Sequence, residues 1–380
     1  MTRRERLMAT LRGESVDRPA VSFYEIGGSN VDPNDGDEFN VYNDPSWRPL
    51  LELAEEQTDL IRMRGPKWKP GPDNARAELF QSETYQEGRS RFTRTTLTVA
   101  GRTMTTLSRR DADTCTVWCL EHLLKDTDDL KAYLQLPDEA LAPGPPDVTD
   151  FLAEEKELGD RGILMIDTGD PLCSAAPLFS MADYLVLAMT EQALFHRLLE
   201  KLAPPIHERA ERASAALPGR MWRICGPEYA TEPYLPPRLF REYVVPYTAP
   251  IVEAIHRHGG YARIHCHGRI KAALPHIMQM NPDAIDPIEP PPLGDVELAD
   301  VRREYGDRLV LFGNIEIRDI EIAPPDEFEG IVAKTLEDGT AGEGRGFVLL
   351  PTACPIGRKI TERALTNYRT MARLAQQHGG

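Results

Sequence analysis

No stretch of this 380-residue sequence approaches the ~18 consecutive apolar residues of a membrane-spanning helix. An export signal is not evident either: the opening is basic, but its apolar run is short and interrupted. Cysteine is scarce, with six residues (Cys115, Cys119, Cys173, Cys225, Cys266, Cys354) scattered along the chain. With no export signal they are expected as reduced thiols in a cytoplasmic protein, and some are then available as ligands. Positive charge is in deficit: 44 Lys and Arg stand against 60 Asp and Glu, a net charge of −16. An acidic surface repels phosphate backbones and anionic lipid, so neither nucleic acid nor a membrane is expected as a partner. There is no G-x-S-x-G nucleophile elbow. Gly342-Glu-Gly-Arg-Gly346 precedes a strand pattern instead of opening a helix, so it reads as neither a dinucleotide fingerprint nor a phosphate loop.

What is present is a long alternation of short apolar runs with amphipathic stretches. Strands are expected at 20–26, 59–63, 162–166, 221–225, 261–265, 284–286, 309–312 and 346–350. Helical patterns lie between most of them. They include a helical pair over 184–213 punctuated by Pro204-Pro205, and one long helix over 237–258. Strands alternating with helices imply a parallel sheet, and this many units predict an α/β fold, a (β/α)8 TIM barrel, as a single domain over 1–380. Residues 90–107 break the rhythm with β-branched residues around a turn at Gly101, which predicts an inserted N-terminal β-hairpin over approximately 86–122.

In such a barrel the functional loops follow the strands at one face. Glu228, Asp286 and Glu289 fall there as candidate acid–base groups, and Tyr24, Asp167 and Asn314 as candidate substrate contacts. The densest signal is Ile264-His-Cys-His-Gly268. Side chains alternate along a strand, so His265 and His267 face one way and Cys266 the other, into the wall. Two imidazoles with the thiolate of Cys354 make a donor set that suits Zn²⁺ with an open fourth position, which Glu228 or Glu289 could fill. The plainer reading is a hydrogen-bonded core histidine, a rim histidine and a small buried cysteine. Cys115 and Cys119, with no second pair, read as structural.

The segment Leu11-Arg-Gly-Glu-Ser-Val-Asp-Arg-Pro19 resembles the start of uroporphyrinogen decarboxylase-like proteins. So do Leu235-Pro-Pro-Arg-Leu-Phe, Arg263-Ile-His-Cys-His-Gly268 and Phe312-Gly-Asn-Ile315 in their order and spacing. The decarboxylase branch of that superfamily uses an arginine-bearing R-Q-A-G-R loop and a C-terminal histidine in a G-H-G segment. Here those places read Tyr24-Glu-Ile-Gly-Gly-Ser-Asn30 and Pro351-Thr-Ala-Cys354, so tetrapyrrole decarboxylation is not expected. The cobalamin-dependent methyltransferase branch binds zinc through a strand-end H-x-C and a later cysteine. His265 and Cys354 match two of those ligands, and His267 stands where the first cysteine would be. The resemblance therefore implies a zinc-dependent methyltransferase component. It would act on a small-molecule methyl donor or acceptor, with a corrinoid carried by a partner protein and a homodimer possible. The alternatives are a metal-independent or metal-assisted decarboxylase or lyase of a small substrate, and a non-catalytic ligand-binding barrel.

Overall fold

The computed structural model describes residues 1–378 except 25, 27–31, 33 and 72–74. Much of the loop expected after the first strand, 28–31 and 33, lies outside the described residues. Eight strands form one parallel sheet. They are β1 (Ala20–Val21), β2 (Leu60–Met63), β3 (Gly162–Gly169), β4 (Met221–Cys225), β5 (Tyr261–His265), β6 (Ala284–Asp286), β7 (Val310–Ile315) and β8 (Phe347–Pro351). Their order in space is β1-β8-β7-β6-β5-β4-β3-β2.

The sheet curls, and Asp59 links its two ends. The Asp59 N–H donates to Val21 O at 2.7 Å, and its carboxylate accepts from the Val21 N–H at 2.9 Å. A separate inner cluster collects Ala20, Ile61, Met165, Met221, Phe312 and Leu350 from around this curl. Leu7 and Leu11 of the helix Arg3–Arg12 complete that cluster. The opposite strand faces pack into the larger outer cluster with the helices. The result is a mixed α/β fold of TIM-barrel type.

Two helical boundaries differ from expectation. The prolines do not divide 184–213: a helix Met181–Thr190 ends at Glu191, and Gln192–Ala216 then runs through Pro204 and Pro205. A proline in a helix interior costs ~3 kcal/mol. Here the buried Leu198, Leu199, Leu202, Ala210 and Ala213 hold the helix to its neighbours and offset that cost. The segment 237–258 is two helices, Pro237–Tyr243 and Val245–Arg257, broken at Val244 just before Pro246.

The inserted region is larger than a hairpin. It is a four-stranded antiparallel sheet of Phe80–Glu87, Ser90–Val99, Arg102–Asp111 and Val117–Glu121. Cys119 lies exposed on its last strand and is no core residue. Among the described residues no single helix is long and apolar enough to cross a membrane.

Candidate active site at the C-terminal rim

Parallel register sets the centre of the site. His265 closes β5 directly beside Asp286 at the end of β6. Arg263, two residues before His265, projects from the same face of β5. Arg263 and Asp286 are fully buried, and His265 is nearly so. Arg263 Nε lies 2.9 Å from one Asp286 oxygen, and His265 Nδ1 lies 2.8 Å from the other. The Arg263 guanidinium also sits over the Phe312 ring at 4.9 Å, a cation–π contact. Burial alone would raise the Asp286 carboxyl, but the charges of Arg263 and His265 outweigh it and hold it at about 2. The carboxylate is therefore a permanent anion that fixes the orientation of His265.

The second histidine repeats the arrangement. His267 Nδ1 lies 2.9 Å from Glu289 Oε1, and the Gly268 N–H donates to Glu289 Oε2 at 2.5 Å. Burial favours the neutral imidazole, but the bond and charge of Glu289 prevail and raise its pKa. The two rings meet edge to face with centroids 4.7 Å apart. Cys266 between them is fully buried in the outer cluster, as the alternation requires.

Tyr24 ties this pair to the remaining rim. Its hydroxyl lies 3.4 Å from His265 Nε2 and accepts from Arg223 Nη1 at 2.7 Å. Arg223 Nε donates to Asp167 at 2.6 Å. The Tyr24 carbonyl accepts from the Cys354 thiol at 2.6 Å. Tyr24 has φ 47°, a left-handed conformation uncommon for a bulky side chain.

Other expected residues are engaged elsewhere. Glu228 turns back on its own loop and accepts from the Gly226 N–H at 2.8 Å. Asn314 places its amide oxygen 3.3 Å from Thr335 Oγ1, on the outer helix Pro325–Thr340. Among the described residues no group of three or more His, Cys, Asp and Glu side chains is disposed to hold a metal ion. Two of the three expected ligands do meet a ligand's requirement. Each imidazole has its Nδ1 committed to a carboxylate, which leaves Nε2 as the nitrogen to face a ligand, the usual support of a metal-bound histidine. The third, Cys354, donates to the Tyr24 carbonyl, and the Tyr24 hydroxyl lies beside His265 Nε2.

Sequence reasoning passed over Arg223, Arg263 and Glu316. The two arginines each occupy the middle of an apolar strand, Met-Trp-Arg-Ile-Cys and Tyr-Ala-Arg-Ile-His, on the side that faces the barrel interior. That parity was the available signal. Glu316 follows β7, 8% exposed, with Oε2 3.3 Å from Thr352 Oγ1 and Oε1 without a hydrogen-bond partner. Burial, then the charge of Glu289, pushes its carboxyl up to about 7.

Behind the rim, fully buried Asp170 caps the helix Pro171–Ala175 by accepting from the Cys173 N–H at 2.7 Å, and it accepts from Thr248 Oγ1 at 2.9 Å. A Cβ at Gly226, where φ is 122°, would lie 2.1 Å from Asp170 Oδ1, so only glycine fits there. Burial pushes the Asp170 carboxyl up to about 7 despite those bonds. The unfolded residue releases its proton near 3.8, the folded one near 7, so the folded state holds an extra proton in between. The Asp170 contribution therefore favours folding below about pH 4 and is lost as pH rises to about 7. Asp170→Asn keeps the capping oxygen and can donate to Thr248. The variant is expected to match wild type near pH 4 and to exceed it by a few kcal/mol near pH 8. Urea unfolding at both pH values measures this, and an equal difference at both would refute it.

A family model described as Uroporphyrinogen decarboxylase (URO-D) matches residues 120–365. None of the curated proteins compared matches this sequence. Among solved structures, a methyltransferase from Methanosarcina mazei is similar with a TM-score of 0.61 and 15% identity, over 99% of each chain. Identity that low speaks for the shared fold alone. A D-psicose 3-epimerase from Clostridium cellulolyticum H10 reaches only 0.32, at 9% identity over 60% of this chain and 93% of its own, and carries no argument. The family match spans well over half of the sequence, including all the strand ends from β3 to β8, and on that ground the chain belongs to the uroporphyrinogen decarboxylase (URO-D) family.

Proposed function

We propose that this chain is a methyltransferase component built on a (β/α)8 barrel. It would move a methyl group between a small methylated compound and a corrinoid brought by a partner protein. The observation that carries this reading is the pair of adjacent imidazoles, each backed at Nδ1 by its own carboxylate. His265 and His267, with Cys354, are the residues that would hold Zn²⁺. Zinc bound there would act as a Lewis acid on a substrate heteroatom. The chain's own groups do the rest. Asp286 and Glu289 hold the two rings by their Nδ1 atoms. The Tyr24 hydroxyl, now 3.4 Å from His265 Nε2, must leave that nitrogen before it can serve as a ligand. Glu316, near neutrality in its proton affinity, can hold or release a proton at Oε1.

A second reading is a decarboxylase or lyase of a small acidic substrate. One observation favours it: a buried imidazole–carboxylate pair, His265 with Asp286, stands at the strand ends beside Arg223 and Arg263, whose charges Asp167 and Asp286 balance. His265, oriented by Asp286, would then do the acid–base work.

Elemental analysis of the purified protein separates the two. The expected result is about one zinc per chain in wild type, with near-complete loss in Cys354→Ser and His265→Ala and retention in Cys266→Ala. Zinc-loaded protein should then demethylate methylcobalamin in the presence of a thiol acceptor. A wild type that takes up no zinc when it is supplied overturns the methyltransferase reading in favour of the lyase.

A further inference from the structure

A second concavity lies apart from the rim. It is a pocket of about 540 Å³ between the helix Gln192–Ala216, the short strand Lys67–Trp68 and the antiparallel sheet. Among the described residues its charged lining is Lys69, Arg76 and Arg209 against Glu139. This is a local excess of positive charge on a chain of net charge −16. The Arg209 guanidinium lies over the Trp68 ring at 5.8 Å, and that of Arg76 over the Phe80 ring at 4.4 Å.

Arg6, Arg18, Arg223 and Arg263 each have a carboxylate within ion-pair distance. Among the described residues Arg76 and Arg209 have none, and their only close partners are the two aromatic faces. Like charges in a partly desolvated pocket repel, and burial together with Arg76 makes Arg209 a weaker base than usual. A ring beneath a guanidinium holds its plane and leaves its N–H edge free for planar, bidentate recognition of an oxyanion. Among the described residues neither guanidinium has a carboxylate within ion-pair distance, and a bound anion would offset the cost of holding the two cations together.

We propose that this pocket binds the phosphate or carboxylate group of a small anionic molecule through Arg76 and Arg209. The site is distinct from the histidine cluster and does not depend on the chemistry done there.

Calorimetric titration of the full chain at low ionic strength tests this, with inorganic pyrophosphate in one arm and citrate in the other. Arg76→Met and Arg209→Met keep the apolar stems against the rings. Arg373→Met, which removes an exposed pair with Glu329, is the control. At least one anion is expected to bind wild type and the control, and to bind each pocket variant at least about tenfold more weakly. Added salt should weaken binding further. The tighter arm identifies phosphate or carboxylate as the preferred group. Absence of binding in both arms, or equal binding by the pocket variants, overturns the proposal. Zinc content is expected to be the same in all four proteins, which separates this outcome from that of the rim site.

Discussion

Asp286→Ala is expected to destabilise the protein by roughly 3–5 kcal/mol and to abolish turnover. Asp286 is fully buried, with Arg263 Nε 2.9 Å from one oxygen and His265 Nδ1 2.8 Å from the other. Removing the carboxylate leaves the fully buried Arg263 without its anion and His265 without its orienting partner. Both losses act inside the barrel, where water cannot replace what is removed. Asp286→Asn separates the two effects. It keeps the shape and one acceptor oxygen, so the variant should fold with a smaller loss, but its amide must face one of two donors. The imidazole proton is then misplaced and activity should still be lost.

The same carboxylate makes a pH prediction. Its folded pKa of about 2 lies below the unfolded 3.8, so its contribution is full above about pH 4 and lost as pH falls toward 2. Denaturant unfolding at pH 7 checks the magnitude. A loss in Asp286→Ala below about 1 kcal/mol would show that Arg263 finds another partner.

Asp59→Ala is expected to cost a similar roughly 3–5 kcal/mol, with no chemistry involved. Asp59 is fully buried where the two ends of the sheet meet. Its carboxylate accepts from Arg6 Nη1 at 2.5 Å, Arg18 Nη1 at 2.8 Å and the Val21 N–H at 2.9 Å. Alanine would take the carboxylate from Arg18 and the Val21 N–H together and leave Arg6 with Asp17 as its remaining ion pair. Asp17 offers the comparison. It also pairs with Arg6, at 2.7 Å, but its side chain is 42% exposed. Asp17→Ala should therefore cost only about 1 kcal/mol or less. Hydrogen exchange adds a local readout: in Asp59→Ala the Val21 amide should lose protection before the strands opposite. Equal losses for the two variants would mean that Asp59 does not hold the junction of β1 and β2.

Much of the fold was legible because strand patterns are local. The expected 221–225, 261–265 and 284–286 coincide with β4, β5 and β6. Each is a short run rich in apolar residues with a glycine or proline within three residues of either end. Helix boundaries were less legible, since Pro204 and Pro205 are tolerated where a buried face holds the helix in place. The insertion was underestimated because Phe80–Glu87 is mostly polar and exposed, and a polar strand carries no hydrophobic alternation to read.

The site divides along the same line. The sequence by itself determined that His265 and His267 share a face with Cys266 turned into the wall, because alternation along a strand needs no tertiary information. It also determined the donor types at the strand ends. Only the tertiary structure decided which groups pair: His265 with Asp286, His267 with Glu289, Arg223 with Asp167, and the Cys354 thiol with the Tyr24 carbonyl. The last two are 56 and 330 residues apart in the chain. Groups so distant find their partners only through strand register and sheet curvature, which no local pattern encodes. That same geometry brought two arginines into the barrel interior and carried Asn314 to the outer helices.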